Sequence, residues 1–128
     1  MTDVWSGFVT LTADECRRLL RANQIGRVAV TSGALPCVLP VQYALESERL
    51  LLRTPGHHEV GHGIDGQVVG FETDDLDLEH GVGWCVSVTG TAQVVHDAGD
   101  LDEIHPWFSD GVVLALTTDV LVGHRVAV

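Results

Sequence analysis

From Trp84 to His96 apolar and polar side chains alternate so regularly that the stretch reads as one long strand with a single face in a core. Val86, Val88, Ala92 and Val94 fall on one side, and Ser87, Thr89 and Thr91 on the other. Such a strand needs partners, because backbone N–H and C=O groups removed from water must be paired. The rest of the chain offers them as short β-branched runs cut by glycine and proline. Arg27-Val-Ala-Val-Thr31 ends at Ser32-Gly33, Cys37 to Leu45 follows, and Arg49 to Thr54 ends at Pro55-Gly56. These three predict a meander. Gln67 to Thr73 resumes strand character, Asp74 to Gly83 reads as an acidic turn region, and Gly111 to Val128 as one long or two paired strands. Pro40 inside the second run predicts an edge, a bulge or an opening in the ladder, which leaves backbone groups for a ligand.

Helical signals are few. Thr12-Ala-Asp-Glu15 is a capping box, and Cys16, Leu19 and Leu20 after it follow helical spacing while Arg17, Arg18 and Arg21 lie on the wet side. Asn23 and Gly26 offer left-handed residues to stop that helix. A short acidic helix is expected between Asp97 and Phe108, and a loop with at most one poor helical turn from His57 to Gly66. The 14 glycines argue against a helical bundle. The expected fold is mainly β: a six- to seven-stranded antiparallel split barrel with an N-terminal helix and short flanking helices, all in one domain over residues 1–128.

Seven Lys plus Arg against 18 Asp plus Glu give a formal charge of −11, which repels nucleic acid and anionic membrane surfaces. An anionic ligand then needs a local positive pocket, so each Arg near a turn becomes a candidate. The start lacks a basic segment followed by an apolar run, and a cytoplasmic protein is expected. Cys16, Cys37 and Cys85 are far apart with no C-x-x-C spacing, which reads as reduced filler rather than a disulfide framework or zinc site.

Taken in order, Gly26-Arg-Val-Ala-Val30, Pro36-x-x-x-Pro40-Val-x-Tyr43, Arg53-Thr54 before a glycine loop, Phe71-Glu-Thr-Asp74, Gly83-Trp84-x-Val-x-Val-x-Gly90-x-Ala92 and Gly123-His-Arg125 resemble the pyridoxamine-phosphate-oxidase-like FMN-binding split barrels. The resemblance spans about residues 11 to 126 and rests on order and spacing. It implies a homodimer with flavin at the subunit interface; no metal is expected, since His57, His58 and His62 have no strong ligand spacing and no accompanying Cys motif. Arg53 and Thr54 would meet the phosphate, Val38, Pro40, Val41 and Tyr43 would lie under or beside the ring, and Trp84 or Trp107 of the partner chain could cover it. His58 stands where the family usually has Lys, in a loop one residue shorter, so FMN, a deazaflavin and no cofactor remain the alternatives. The implied activity is flavin-dependent oxidoreduction of a small molecule, with a non-catalytic flavin carrier or a cofactor-free dimer beside it. Catalytic residues are not legible, and a second phosphate site for pyridoxamine phosphate asks for more basic residues than the chain has.

Plainer readings stand next to these. Arg53 could pair with Glu46 or Asp74, His57, His58 and His62 could be solvated loop residues, and Trp84 and Trp107 could anchor the core or a dimer interface. Ser87 has no Gly-x-Ser-x-Gly elbow around it, which sets hydrolysis aside.

Overall fold

The computed structural model describes residues 7–55, 63–95 and 104–126. Helix α1, Ala13–Leu20, begins as its capping box requires: the Glu15 N–H donates to Thr12 Oγ1 at 3.2 Å, and the Thr12 N–H donates back to Glu15 Oε1. It buries Cys16 and Leu20 and ends at Arg21, before Asn23. Asn23 serves another purpose, since its side-chain amide donates to Thr73 Oγ1 and to the Asp74 carbonyl and so ties the helix exit to the sheet.

Eight antiparallel strands follow from the period-two runs: β1 Phe8–Thr10, β2 Ile25–Ser32, β3 Leu35–Glu46, β4 Arg49–Arg53, β5 Val68–Asp77, β6 Val82–Val94, β7 Val113–Thr117 and β8 Val120–Val126. Their order is β1-β8-β6-β5-β2-β3-β4-β7, and β6 also pairs with β7. Six strands therefore close a barrel, from which β8 and β1 extend as a flap. The split barrel stands, with one or two strands more than alternation alone reveals. β1 is only three residues long and is specified by its pairing with β8, which no local pattern announces.

The chain end forms two strands that do not pair with each other. They run one after the other along the same edge of β6: β7 faces Ala92 to Val94, and β8 faces Trp84 to Thr89. Between those stretches Gly90 and Thr91 stand opposite residues 117–119, the count of a β-bulge. A Cβ on Gly90 would lie 1.8 Å from the Thr117 carbonyl oxygen, and the Thr91 N–H donates to Thr117 Oγ1 at 2.9 Å. Only glycine admits that approach.

Inward residues build one core: Val28, Leu39, Val41, Tyr43, Leu50, Leu52, Phe71, Val86, Val88, Leu114 and Leu116, with Cys16 and Leu20 of α1 packed into it. Each such aliphatic side chain contributes about 1.5 to 3 kcal/mol. The acidic turn expected over residues 74–83 shrinks to 78–81, because Asp74, Asp75 and Asp77 pair through their backbones with Cys85, Trp84 and Val82. Ladder bonds use the backbone alone, so acidic side chains do not end the strand when they can face water. The acidic helix expected between Asp97 and Phe108 lies mostly outside the described residues; within them the chain makes one 3₁₀ turn, Pro106–Phe108. Of the His57 to Gly66 loop, the described end is a turn that buries Ile64. Among the described residues no helix is long and apolar enough to cross a membrane.

Candidate functional site

Alternation sends Leu39, Val41 and Tyr43 of β3 inward and Val38, Pro40 and Gln42 outward; on β4 it sends Leu50 and Leu52 inward and Leu51 and Arg53 outward. Outward residues ordinarily meet water. Here Gln42, Leu51 and Arg53 are buried, as are Phe108 and Val113, which stand apart from the main core. The cover is the segment 104–112. The His105 N–H donates to Gln42 Oε1 at 2.9 Å, and Arg53 NH1 donates to the Gly111 carbonyl at 3.1 Å. Thr54 clamps the segment's end: its N–H donates to the Val112 carbonyl at 3.1 Å, and its hydroxyl accepts the Val112 N–H at 3.2 Å.

Arg53 is the unusual member. It is 8% exposed, its Nε has no hydrogen-bond partner, and no carboxylate lies within ion-pair distance of it among the described residues. The two plain partners are taken: Glu46 pairs with Arg49 at 3.1 Å and Asp74 with Arg27 at 3.6 Å. A buried guanidinium without an anion is costly, and none of the described residues supplies Arg53 with one. Beside it, β4 pairs with β3 only from Gln42 to Glu46, while β2 covers the opposite edge from Leu35 to Gln42. One edge of β3 from Leu35 to Val41 therefore has no strand partner among the described residues, and Pro40 lies in that opening.

A second polar group sits further round the outer face. Arg27, in register with both Pro40 and Glu72, reaches Glu72 Oε2 at 3.7 Å and Asp74 Oδ1 at 3.6 Å. A hollow of about 420 Å³ adjoins it, lined by Asn23 to Arg27, Pro40 and Asp74. Burial, then the hydrogen bond and charge of Asp74, push the Glu72 carboxyl up to about 7 against the opposing pull of Arg27.

The structure thus gathers Arg53 and Thr54 at one place and sets Val38 and Pro40 on the same outer face, with Val38 65% exposed. It sends the side chains of Val41 and Tyr43 inward, away from that face. Both are in the core, and the Tyr43 hydroxyl donates to the Leu20 carbonyl and its ring packs edge-on to Phe71, with centroids 4.9 Å apart. Residues one apart on a strand face opposite ways, so these two can address an outer ligand only through their backbone. The buried phenol is pushed up to about 12 and stays neutral. His58 lies outside the described residues. Trp107 is 73% exposed on the 3₁₀ turn, edge-on to His105. Trp84 is half-buried against the core on β6, about 30 Å of strand from Val94, where β7 docks. Burial, the largest cause, pushes the Cys16 and Cys85 thiols up. Sequence reasoning missed Gln42 and Gly111. The outward parity of Gln42 was readable, but nothing local told that Gly111 would lie on Arg53.

Comparison with known proteins adds to this geometry. Residues 12–120 match the family described as pyridoxamine 5′-phosphate oxidase. The chain is 34% identical to the uncharacterized protein Rv0080 of Mycobacterium tuberculosis, over 92% of this chain and 85% of that one. Among solved structures it is similar in fold to the FAD binding protein from Mycobacterium smegmatis, with TM-score 0.72, 24% identity, and 92% and 97% of the two chains covered. A FAD-binding protein from Mesorhizobium loti gives TM-score 0.73 and 20% identity, covering 94% of this chain and 98% of that one.

Proposed function

This chain belongs to the pyridoxamine 5′-phosphate oxidase family, and from that footing we propose that it binds a phosphorylated flavin, FMN, on the outer face of β3 and β4 and acts as an oxidoreductase on a small molecule. The observation that carries the reading is Arg53, a buried cation with an unpartnered Nε and no carboxylate beside it among the described residues. A flavin phosphate is the anion that satisfies it. The two solved structures above are by their names FAD-binding proteins, which supports a flavin as the ligand class.

In this reading Arg53 holds the phosphate and Thr54, its hydroxyl spent on Val112, holds the covering segment in place. His58, close after Thr54 in the sequence, contributes as a titratable donor. Val38 and Pro40 give the ring an apolar seat, and the unpaired edge of β3 offers backbone groups to its polar rim. When bound, the flavin supplies hydride or electron transfer, and the protein's work is to bind and orient it and keep water out. A homodimer completes the site, with Trp84 of the second copy as the covering aromatic. The protein works in the cytoplasm.

Titration with FMN, FAD and riboflavin, read by flavin fluorescence, tests this in wild type and Arg53→Ala, with size exclusion alongside. Tight FMN binding by a dimer, lost in Arg53→Ala, and reduction of the bound flavin by NAD(P)H support the enzyme. Binding without reduction leaves a carrier. No binding of any flavin, or a monomer that binds as tightly as a dimer, overturns the proposal.

A further inference from the structure

We infer that Gly111 is a specificity-determining position: its carbonyl takes Arg53 NH1 and its missing side chain lets the strap lie on Arg53–Thr54, so the guanidinium meets a ligand phosphate along its Nε–NH2 edge. The inference rests on the flavin reading above and says how that site selects a phosphorylated flavin over riboflavin.

A guanidinium is a planar fork that can present two parallel N–H bonds either from its end, through NH1 and NH2, or from its side, through Nε and NH2. NH1 already donates one of its two N–H bonds to the Gly111 carbonyl at 3.1 Å, which fixes that end of the fork against the covering segment. Nε is buried and has no partner among the described residues. The side edge, Nε with NH2, makes no hydrogen bond to the described residues, and phosphate matches its spacing. Gly111 makes this arrangement possible through space rather than backbone conformation. A Cβ there would lie 1.7 Å from the Thr54 carbonyl oxygen, 2.8 Å from the Thr54 carbonyl carbon and 3.1 Å from Arg53 Cγ. The neighbours cannot yield cheaply, since the paired bonds between Thr54 and Val112 hold both backbones together. Any side chain at position 111 must lift the carbonyl from NH1 or turn the Arg53 stem. Either change frees the end of the fork and misdirects its side. Lysine at position 53 would keep the charge but has no two-pronged edge to offer.

The test measures FMN and riboflavin affinity for wild type, Gly111→Ala and Arg53→Lys, and follows the arginine Nε–H signals by NMR while inorganic phosphate is added. Wild type is expected to prefer FMN by about a hundredfold, the worth of two charge-assisted hydrogen bonds. Gly111→Ala should shrink that preference to within about fivefold while riboflavin affinity moves less than about threefold, and Arg53→Lys should behave likewise. Phosphate should shift one Nε–H signal in wild type that is absent from Arg53→Lys. The inference is overturned if Gly111→Ala weakens FMN and riboflavin equally, if the preference survives, or if Arg53→Lys binds FMN like wild type. Should Gly111→Ala fail to fold, the lysine variant and the wild-type NMR titration still decide. A phosphate-induced Nε–H shift in a protein that binds no flavin sinks the flavin reading and keeps the edge assignment; FMN binding without any such shift does the reverse.

Discussion

Two arginines on the outer face of the same barrel meet opposite fates. Arg27 on β2 is 46% exposed along its side chain and pairs with two carboxylates, Glu72 and Asp74, at 3.7 and 3.6 Å. Arg53, two strands away on β4, is 8% exposed and meets only the carbonyl of Gly111 among the described residues. Both carry the same charge on the same kind of strand. The first has its charge cancelled and screened by solvent, a pairing worth at most about 1 kcal/mol. The second is buried and has no carboxylate within ion-pair distance among the described residues. Function in an acidic chain follows the second kind of residue, because a cation with its own carboxylates has little left to give.

Removing the cover should do the most to break the contrast. Phe108→Ala, at a buried position above this outer face, should cost about 3 kcal/mol in urea unfolding and make Arg53 resemble Arg27 in exposure. A cost below about 1 kcal/mol would mean that the cover is not a packed layer. Arg53→Ala should lower FMN affinity about a hundredfold, about 2.7 kcal/mol, and fluorescence titration reads it directly; an unchanged affinity removes Arg53 from the site.

The Arg27 cluster gives a smaller, pH-dependent effect. The folded Glu72 carboxyl is pushed up to about 7 from 4.5, chiefly by burial. Between those values the unfolded chain has released a proton that the folded chain keeps. Stability from this group is therefore full below about pH 4.5 and is lost as pH rises toward 7. Solvent contact reduces the loss to the order of 1 kcal/mol. Glu72→Gln should flatten that part of the stability curve, and an unchanged slope would place the titration elsewhere. Smallest is Arg27→Ala, which should change FMN affinity less than about threefold and stability by under about 1 kcal/mol. A loss as large as that of Arg53→Ala would erase the difference between the two arginines.

What the chain revealed in advance was whatever neighbours along it decide. Thr12 and Glu15 are three residues apart, and their reciprocal bonds form as read. The alternation along β6 and the runs of β2 to β5 likewise put apolar side chains inside. The same parity rule, applied to β3, already separates Val41 and Tyr43 from Val38, Pro40 and Gln42. The break between β7 and β8 was not readable, since it answers to Gly90 on another strand.

By itself, then, the sequence determined the runs of β2 to β6, the capped helix, the antiparallel barrel class and Arg53 as a candidate, because period and capping act over a few residues. Tertiary structure alone decided that Arg53 is buried, which of its edges is spent, and that Gly111 must be glycine. Those facts depend on a carbonyl 58 positions away in the chain, brought to β4 only when β7 pairs with it and the segment before β7 is drawn across the barrel's outer face.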